Sequence, residues 1–580
     1  MKKILLSLSI AMLSAVSTHA HRAWPYPMTF VQSNGDTITV RLNGDDYFHW
    51  YTDMEGNILE RHGNDFTKIA IDKETFFAQA QQTLNAKGIL REPIVKSSSL
   101  FPHMGSPKAV VILAQYQDLT FSLPNPRASF EQYLNATDGH PQNLGNNENR
   151  NYGSVKQYFI DQSDGKFSPQ FDVYGPITLP QNMAYYGGTA SNGGDERYIE
   201  LLTDACKAMD DSLDFSQYDQ DGDGNIDLVY VIYAGYGQSN GAANETMWPK
   251  RFGGFTTPKF DGKGVNQGGI SNELFGRENK PSGKYINGIG LFCHEFSHCL
   301  GLPDFYPTNN IVEDNLGMED WSLMDNGEYV GGGYCPVAYT AWEREAMGWD
   351  SIPAITEARQ YKLDGKLSNG SNAVKIENPN NKNDYFVLQH FEDTKWNQRI
   401  AKYKNPKETI DYNPDTKGLL IYHVDYEKDA FRLGGLEGNS VNNDKSHPRM
   451  TVIPADGKLV SSYRIKSITP YKYAQELHGD IFRAESISIT PMFEQTGGLP
   501  NAAWWTTAEA TPIYNINYLD GATYFDFLRP VADTGIDHTL VTPTPLSSER
   551  IYSLDGRFVG TTVDTLPHGI YIRGGKKFVK

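Results

Sequence analysis

Residues 294 to 304 read His-Glu-Phe-Ser-His-Cys-Leu-Gly-Leu-Pro-Asp, and no other stretch of the chain restricts its surroundings as much. His294 and His298 are four apart, so a helix puts both imidazoles on one face, one turn apart. At that spacing both reach a single Zn2+ at about 2.0–2.1 Å. Glu295 stands one step round the helix, where it meets a metal-bound water rather than the metal. Gly301 can take a positive φ, end the helix and turn the chain back, and Pro303 stiffens that return. Asp304 is then the best-placed third ligand, because catalytic zinc usually has three protein ligands and one open position. No histidine lies between His298 and His390, and the stretch before His294 offers His140 alone from residue 106 on. A downstream glutamate, Glu319 or Glu343, is the alternative third ligand. A bare His-Glu-x-x-His is expected by chance on the order of 0.02 times in a chain of this composition.

The chain around this motif is long and acidic. Its 580 residues set a prior of about four domains, and a formal charge of −18 disfavours a nucleic-acid partner. Met1-Lys2-Lys3, the apolar run from Ile4 to Val16 and the small residues before a cut after Ala20 read as a secretory signal peptide, residues 1–20. That run is too short to span a bilayer, and no later segment is long enough, so no transmembrane segment is expected. The protein is expected to be secreted or held at the cell surface. Export permits disulfides among Cys206, Cys293, Cys299 and Cys335, but six residues on a helix turn Cys293 and Cys299 to separate sides. A pair containing Cys206 and another containing Cys335 stay open, as do four buried thiols.

The expected fold class is multidomain α+β. Residues 21–105 form a small pro-region: strands at Thr37–Leu42 and Tyr47–Thr52, a turn at Gly44–Asp46, a helix over Lys73–Gly88 and a cleavable joint at Lys96–Ser99. Residues 106–350 alternate buried strands (Ala109–Ala114, and Leu228–Tyr233 ended by Gly235) with helices (Val155–Asp161, Asp195–Met209, Leu291–Leu300), as in an α/β domain. Residues 351–528 carry short strands, among them Asp384–Leu388, Gly418–His423, Ser486–Thr490 and Ala522–Phe527, and predict a β-sandwich. Residues 529–548, rich in Pro and Thr, are a linker. Residues 549–580 form a small β unit.

Met324, in the turn Trp-Ser-Leu-Met-Asp, resembles the metzincin Met-turn, whose thioether packs beneath the metal. Together with His294-Glu-Phe-Ser-His-Cys-Leu-Gly-Leu-Pro-Asp-Phe-Tyr306, this stretch resembles the immune-inhibitor-A-like family of secreted bacterial zinc metallopeptidases. Asp219-Gln-Asp-Gly-Asp-Gly-Asn-Ile-Asp227 and Gly418-Leu-Leu-Ile-Tyr-His-Val-Asp425 are similar to that family too. The resemblance spans roughly residues 21–528 and is densest over 106–350. It implies a metzincin-like zinc endopeptidase acting on protein or peptide substrates, with Asp304 where the wider clan has histidine. The residues suit that chemistry, with Glu295 as general base and Tyr306, Tyr329 and Tyr334 as candidate donors to the oxyanion.

A second metal signal lies at Asp219, Asp221, Asp223, Asn225 and Asp227. Acids at positions 1, 3, 5 and 9 with Gly224 at 6 match a calcium loop, although position 12 is Tyr230. The pro-region has no cysteine, so Asp45 or Asp46, or backbone alone, would block the zinc in a precursor. Ile551–Val559 and Leu566–Ile572 are similar to the sorting domain of type IX secretion substrates, which makes that secretion machinery a partner. The competing reading is an inactive surface adhesin that keeps the zinc helix. An intact Glu295 argues against it, since a binding protein needs no general base. His423, Asp425 and His447 in the β-domain are read as surface or core groups rather than ligands.

Overall fold

A computed structural model describes residues 17–20, 22–45, 48–73, 75–79, 100–137, 150–187, 195, 197–278, 284–308, 317–365, 372–405, 410–432, 439–444, 446–461, 469–483, 513–528, 551–554, 558–573 and 576–580. The joint at 96–99, most of the expected 73–88 helix, the strand expected at 486–490 and the linker at 529–548 lie outside these residues. The chain divides into two compact units, Met1–Arg529 and Pro530–Lys580.

The centre of the first unit is a six-stranded sheet in the order β1-β5-β6-β4-β2-β3. Its strands are β1 (Ser17–Ala20), β2 (Lys108–Gln115), β3 (Gln170–Thr178), β4 (Val229–Tyr236), β5 (Lys250–Gly253) and β6 (Gln267–Leu274). β3, β2, β4 and β6 run parallel, while β5 is antiparallel to β6 and to β1. Alternate residues of the apolar runs point to opposite faces. Ala109, Val111, Leu113, Tyr230 and Ile232 enter one core, and Val110, Ile112, Ala114, Val231 and Tyr233 enter the other. Strands buried on both faces read as continuous apolar runs, which is why these were legible. Helices α1 (Pro126–Asn135), α2 (Val155–Gln162) and α4 (Ile289–Leu300) cover the first face, and α3 (Tyr198–Met209) covers the second.

Several expectations shift in detail. α3 begins at Tyr198, not Asp195, whose carboxylate instead pairs with buried Lys250 at 3.0 Å. Gly235 does not end its strand: it takes φ +92°, makes a bulge, and β4 runs on to Tyr236. Residues 17–20, expected to be cut away, pair along the outer edge of β5. All four cysteines are buried thiols.

Residues 28–68 form a five-stranded antiparallel meander. Beyond residue 350 a four-stranded sheet (Ala373–Asn378, Asn381–Glu392, Lys417–Asp425, Met450–Val452) and a three-stranded sheet (Gln360–Leu363, Ala522–Phe527, Ile513–Leu519) share one apolar core. The other side chains of the four-stranded sheet, among them Tyr385, Val387, Tyr422 and Val452, join the core beneath α4. A helix the sequence reading missed, α6 (Pro470–Asp480), also packs there. The overall class is α+β. The second unit is a four-stranded antiparallel sheet of Phe558–Gly560, Ile551–Ser553, Ile570–Arg573 and Lys576–Val579. No helix among the described residues is long and apolar enough to cross a membrane.

Candidate metal centre

α4 is buried on every side. Its Phe292 and Phe296 pack on the sheet face, with ring centroids 4.1 Å from Tyr230 and 5.1 Å from Phe171. This packing turns His294 and His298 the other way. The Nδ1 of His294 lies 2.9 Å from the carbonyl of Leu323, and that of His298 lies 2.7 Å from the carbonyl of Leu302. Such carbonyl contacts fix ring orientation and leave Nε2 for a metal. Gly301 makes the second contact possible. At φ +110° it caps the helix and folds Leu302 back over His298.

Past Pro303 the chain delivers Asp304, whose Oδ1 lies 3.3 Å from His294 Nε2 and 3.2 Å from His298 Nε2. One ligand atom from each of the three residues falls within 4.8 Å of the others. All three side chains are essentially inaccessible. Burial pushes the Asp304 carboxyl up, but His298 and His294 outweigh it and hold the group well below the carboxylate range, in its ligating form. Two imidazoles and a carboxylate converging this closely fit a zinc ion. Glu319 and Glu343 do not join them. Glu343 accepts from Ser322 Oγ at 2.7 Å in the capping box of α5 (Ala341–Ala346), and Glu319 accepts from Tyr473 at 2.8 Å.

Met324 is fully buried in the turn below, and its carbonyl accepts the amide of Phe305 at 2.8 Å. The 322–325 turn thus steadies His294 through Leu323 and the Asp304 loop through Met324. Glu295 is buried beside this cluster. Of the candidate tyrosines, Tyr334 donates to Ile286 O and Tyr329 to Arg22 O. Tyr306 is in the electrostatic reach of Asp304 and Glu295, and burial, reinforced by these acids, keeps its phenol protonated.

Two residues here went unread in the sequence. Asn439 brackets Asp304: its Oδ1 accepts the Asp304 amide at 2.6 Å and its Nδ2 donates to Asp304 Oδ2 at 2.7 Å. Glu328 is wholly buried, and neither of its carboxylate oxygens has a hydrogen-bond partner among the described residues. Burial pushes its carboxyl well above the usual range, His294 opposes this, and Glu295, Asp304 and Asp325 add to it. Neither residue sits in a local pattern that would have marked it.

The acidic loop brings Asp219, Asp221 and Asp227 together. Asp223 is not among them: it accepts the amide of Asn225 at 2.8 Å and its side-chain amide at 3.2 Å. Lys263 Nζ lies 2.5 Å from Asp219 Oδ2. Asp45 is buried and in the electrostatic reach of Tyr306, outside the His–His–Asp cluster, and Asp46 lies outside the described residues. His423 pairs with Asp384 and His447 with Asp425, inside the β-domain.

Residues 106–349 match the family model of the immune inhibitor A peptidase M6 catalytic domain. Immune inhibitor A of Bacillus thuringiensis subsp. alesti is 31% identical over 219 residues, covering 33% of this chain and 31% of that protein. Pre-pro-metalloprotease PrtV of Vibrio cholerae serotype O1 (strain M66-2) is 26% identical over 218 residues, covering 34% of this chain and 24% of that one. The match therefore spans less than a third of either relative. The resemblance read from the 294–306 and 321–325 motifs stands.

Proposed function

From a peptidase M6 catalytic domain of the immune inhibitor A family over residues 106–349, we propose that this chain is a zinc-dependent endopeptidase of extracellular proteins. The observation that carries the reading is the convergence of His294 Nε2, His298 Nε2 and Asp304 Oδ1. When bound there, zinc supplies Lewis-acid polarisation of the scissile carbonyl and an acidified water. Asp304 brings one negative charge to the ligand set and the two neutral imidazoles bring none. Glu295, next to His294 on the same helical turn, takes the proton of the attacking water and passes it to the leaving amine. Tyr306, held protonated, donates to the developing oxyanion. Met324 underlies the ligands and keeps them in place.

Asp219, Asp221 and Asp227 make up the core of a calcium site, with the Asn225 carbonyl and Asp223 as further contributors. Residues 1–20 direct export, and removing them takes away β1 and bares the edge of β5. Residues 21–105 keep the precursor latent, and residues 549–580 engage type IX secretion machinery.

Glu295→Gln tests the central reading. The variant should keep one zinc per chain and lose at least about 100-fold in casein or peptide hydrolysis. Normal hydrolysis would remove Glu295 from its role, and absence of bound zinc in the parent protein would remove the metal.

A further inference from the structure

Downstream of β1 the chain leaves the edge of the central sheet and meets the turn that follows Met324. Arg22 turns inward there and is largely buried. Its Nη1 lies 3.5 Å from Asp325 Oδ1. Its guanidinium stands 5.3 Å from the centroid of the Tyr306 ring, and its own carbonyl accepts the hydroxyl of Tyr329. Trp24, two residues on, packs edge-on against Tyr329 and Phe275. These partners of Arg22 all come from the half of the molecule that holds the metal ligands. Asp325 directly follows Met324, and Leu323, one residue earlier, contacts His294.

We propose that the pocket formed by Asp325, Tyr306 and Tyr329, filled here by Arg22, is a substrate subsite that selects an arginine side chain of the peptide being cleaved. The inference rests on the peptidase reading and names its substrate class.

Charge is the first argument. Asp325 is fully buried, with Glu319 and Glu328 in its electrostatic surroundings. Burial, with Glu319 adding to it, pushes the Asp325 carboxyl up to about 8, and Arg22 opposes this. A guanidinium seated on Oδ1 favours the ionised acid, so the pocket takes up a cation and gives up a proton together.

The second argument is shape. Asp325 uses Oδ2 to hold the amides of Met318 and Glu319, at 2.8 and 3.0 Å, and turns Oδ1 to the guanidinium. Its position is fixed by the loop and does not depend on Arg22. The Tyr306 face favours a flat, weakly hydrated guanidinium over a compact ammonium.

Backbone contact is the third. The Arg22 carbonyl accepts the Tyr329 hydroxyl, and the Trp24 amide donates to the carbonyl of Ser239 at 2.9 Å, so the segment is held through its main chain as a bound peptide would be.

The test uses the zinc-loaded protein after proteolytic removal of residues 21–105, which empties the pocket of Arg22, and paired fluorogenic peptide libraries, carrying at a fixed position either arginine or citrulline, its neutral isostere. Arginine should raise kcat/KM by about tenfold or more at one position. Asp325→Asn keeps an oxygen for the Met318 and Glu319 amides, and should bring that ratio close to one. Equal cleavage of the two libraries by the parent protein would overturn the subsite, as would an undiminished ratio in Asp325→Asn. If neither library is cleaved, their binding to the same zinc-loaded processed protein is followed by fluorescence polarisation. Arginine-selective binding without cleavage refutes the peptidase reading and keeps the subsite. Equal binding, or none, overturns the subsite.

Discussion

Asp304 is held by a residue 135 positions away, the Asn439 of a loop that follows the strand Lys417–Asp425. Both side-chain atoms of Asn439 are used, one on the Asp304 amide and one on its carboxylate, so the free oxygen Oδ1 is aimed at the two imidazoles. Partners of this kind typically contribute 10–100-fold to metal affinity. Asn439→Ala should weaken zinc binding by about that factor in a chelator competition, whereas Asn439→Asp keeps an acceptor for the amide but sets two carboxylates together and should be worse still. At this scale legibility follows distance along the chain. His294, Glu295 and His298 could be read because a helical turn is local, and Asp304 because Gly301 and Pro303 define a short return. Asn439 and Glu328 reach the site through tertiary packing, which leaves no spacing to read.

Among the elements, α4 depends on a close approach to the loop after the Met324 turn. A Cβ at Gly290 would collide with the carbonyl oxygen of Glu328. Gly290→Ala should therefore cost about 1–3 kcal/mol, seen as a lower midpoint in denaturant with zinc present throughout. The acidic loop before β4 behaves differently, because Lys263 already balances Asp219. A calcium ion at Asp219, Asp221 and Asp227 would compete with that ammonium and add about 2.7 kcal/mol at a hundred times its dissociation constant. Calcium should raise the thermal midpoint of the parent protein with zinc held constant, and Asp221→Ala should abolish that rise. Element boundaries were misread where local chemistry has two outcomes. Gly235 ends many strands, but here its positive φ makes a bulge. α6 has a sound start, Thr469 capping and Pro470 at the first turn, but only Tyr473, Ala474, Leu477 and Asp480 are buried, too narrow a stripe to stand out.

For the whole molecule, the boundary expected near residue 350 separates sequence styles without separating cores. Tyr385, Val387, Leu420, Tyr422, Val424, Met450 and Val452 are buried in one cluster with Phe305, Met324 and Trp342. Trp342 donates to Tyr385 Oη from its indole at 2.9 Å and to Tyr422 Oη from its amide at 3.1 Å, and Trp321 donates to Asp480 at 2.8 Å. Alternation along a strand shows that both faces are covered, but not which domain covers them. Each large apolar side chain left exposed costs roughly 1.5–3 kcal/mol, so a few of them cancel the ~5–15 kcal/mol that holds a domain together. A chain ending at residue 350 should therefore express as unfolded or aggregated protein without zinc, since it also lacks Asn439. The second unit, Pro530–Lys580, has its own small core around Ile551, Leu566 and Tyr571. A chain ending at residue 529 should keep the parent's thermal midpoint and one zinc per molecule. Thermal melts and metal analysis of the two truncations side by side decide the matter: a folded, zinc-loaded chain ending at 350 would show that the β-domain leans on the metal centre without supporting it.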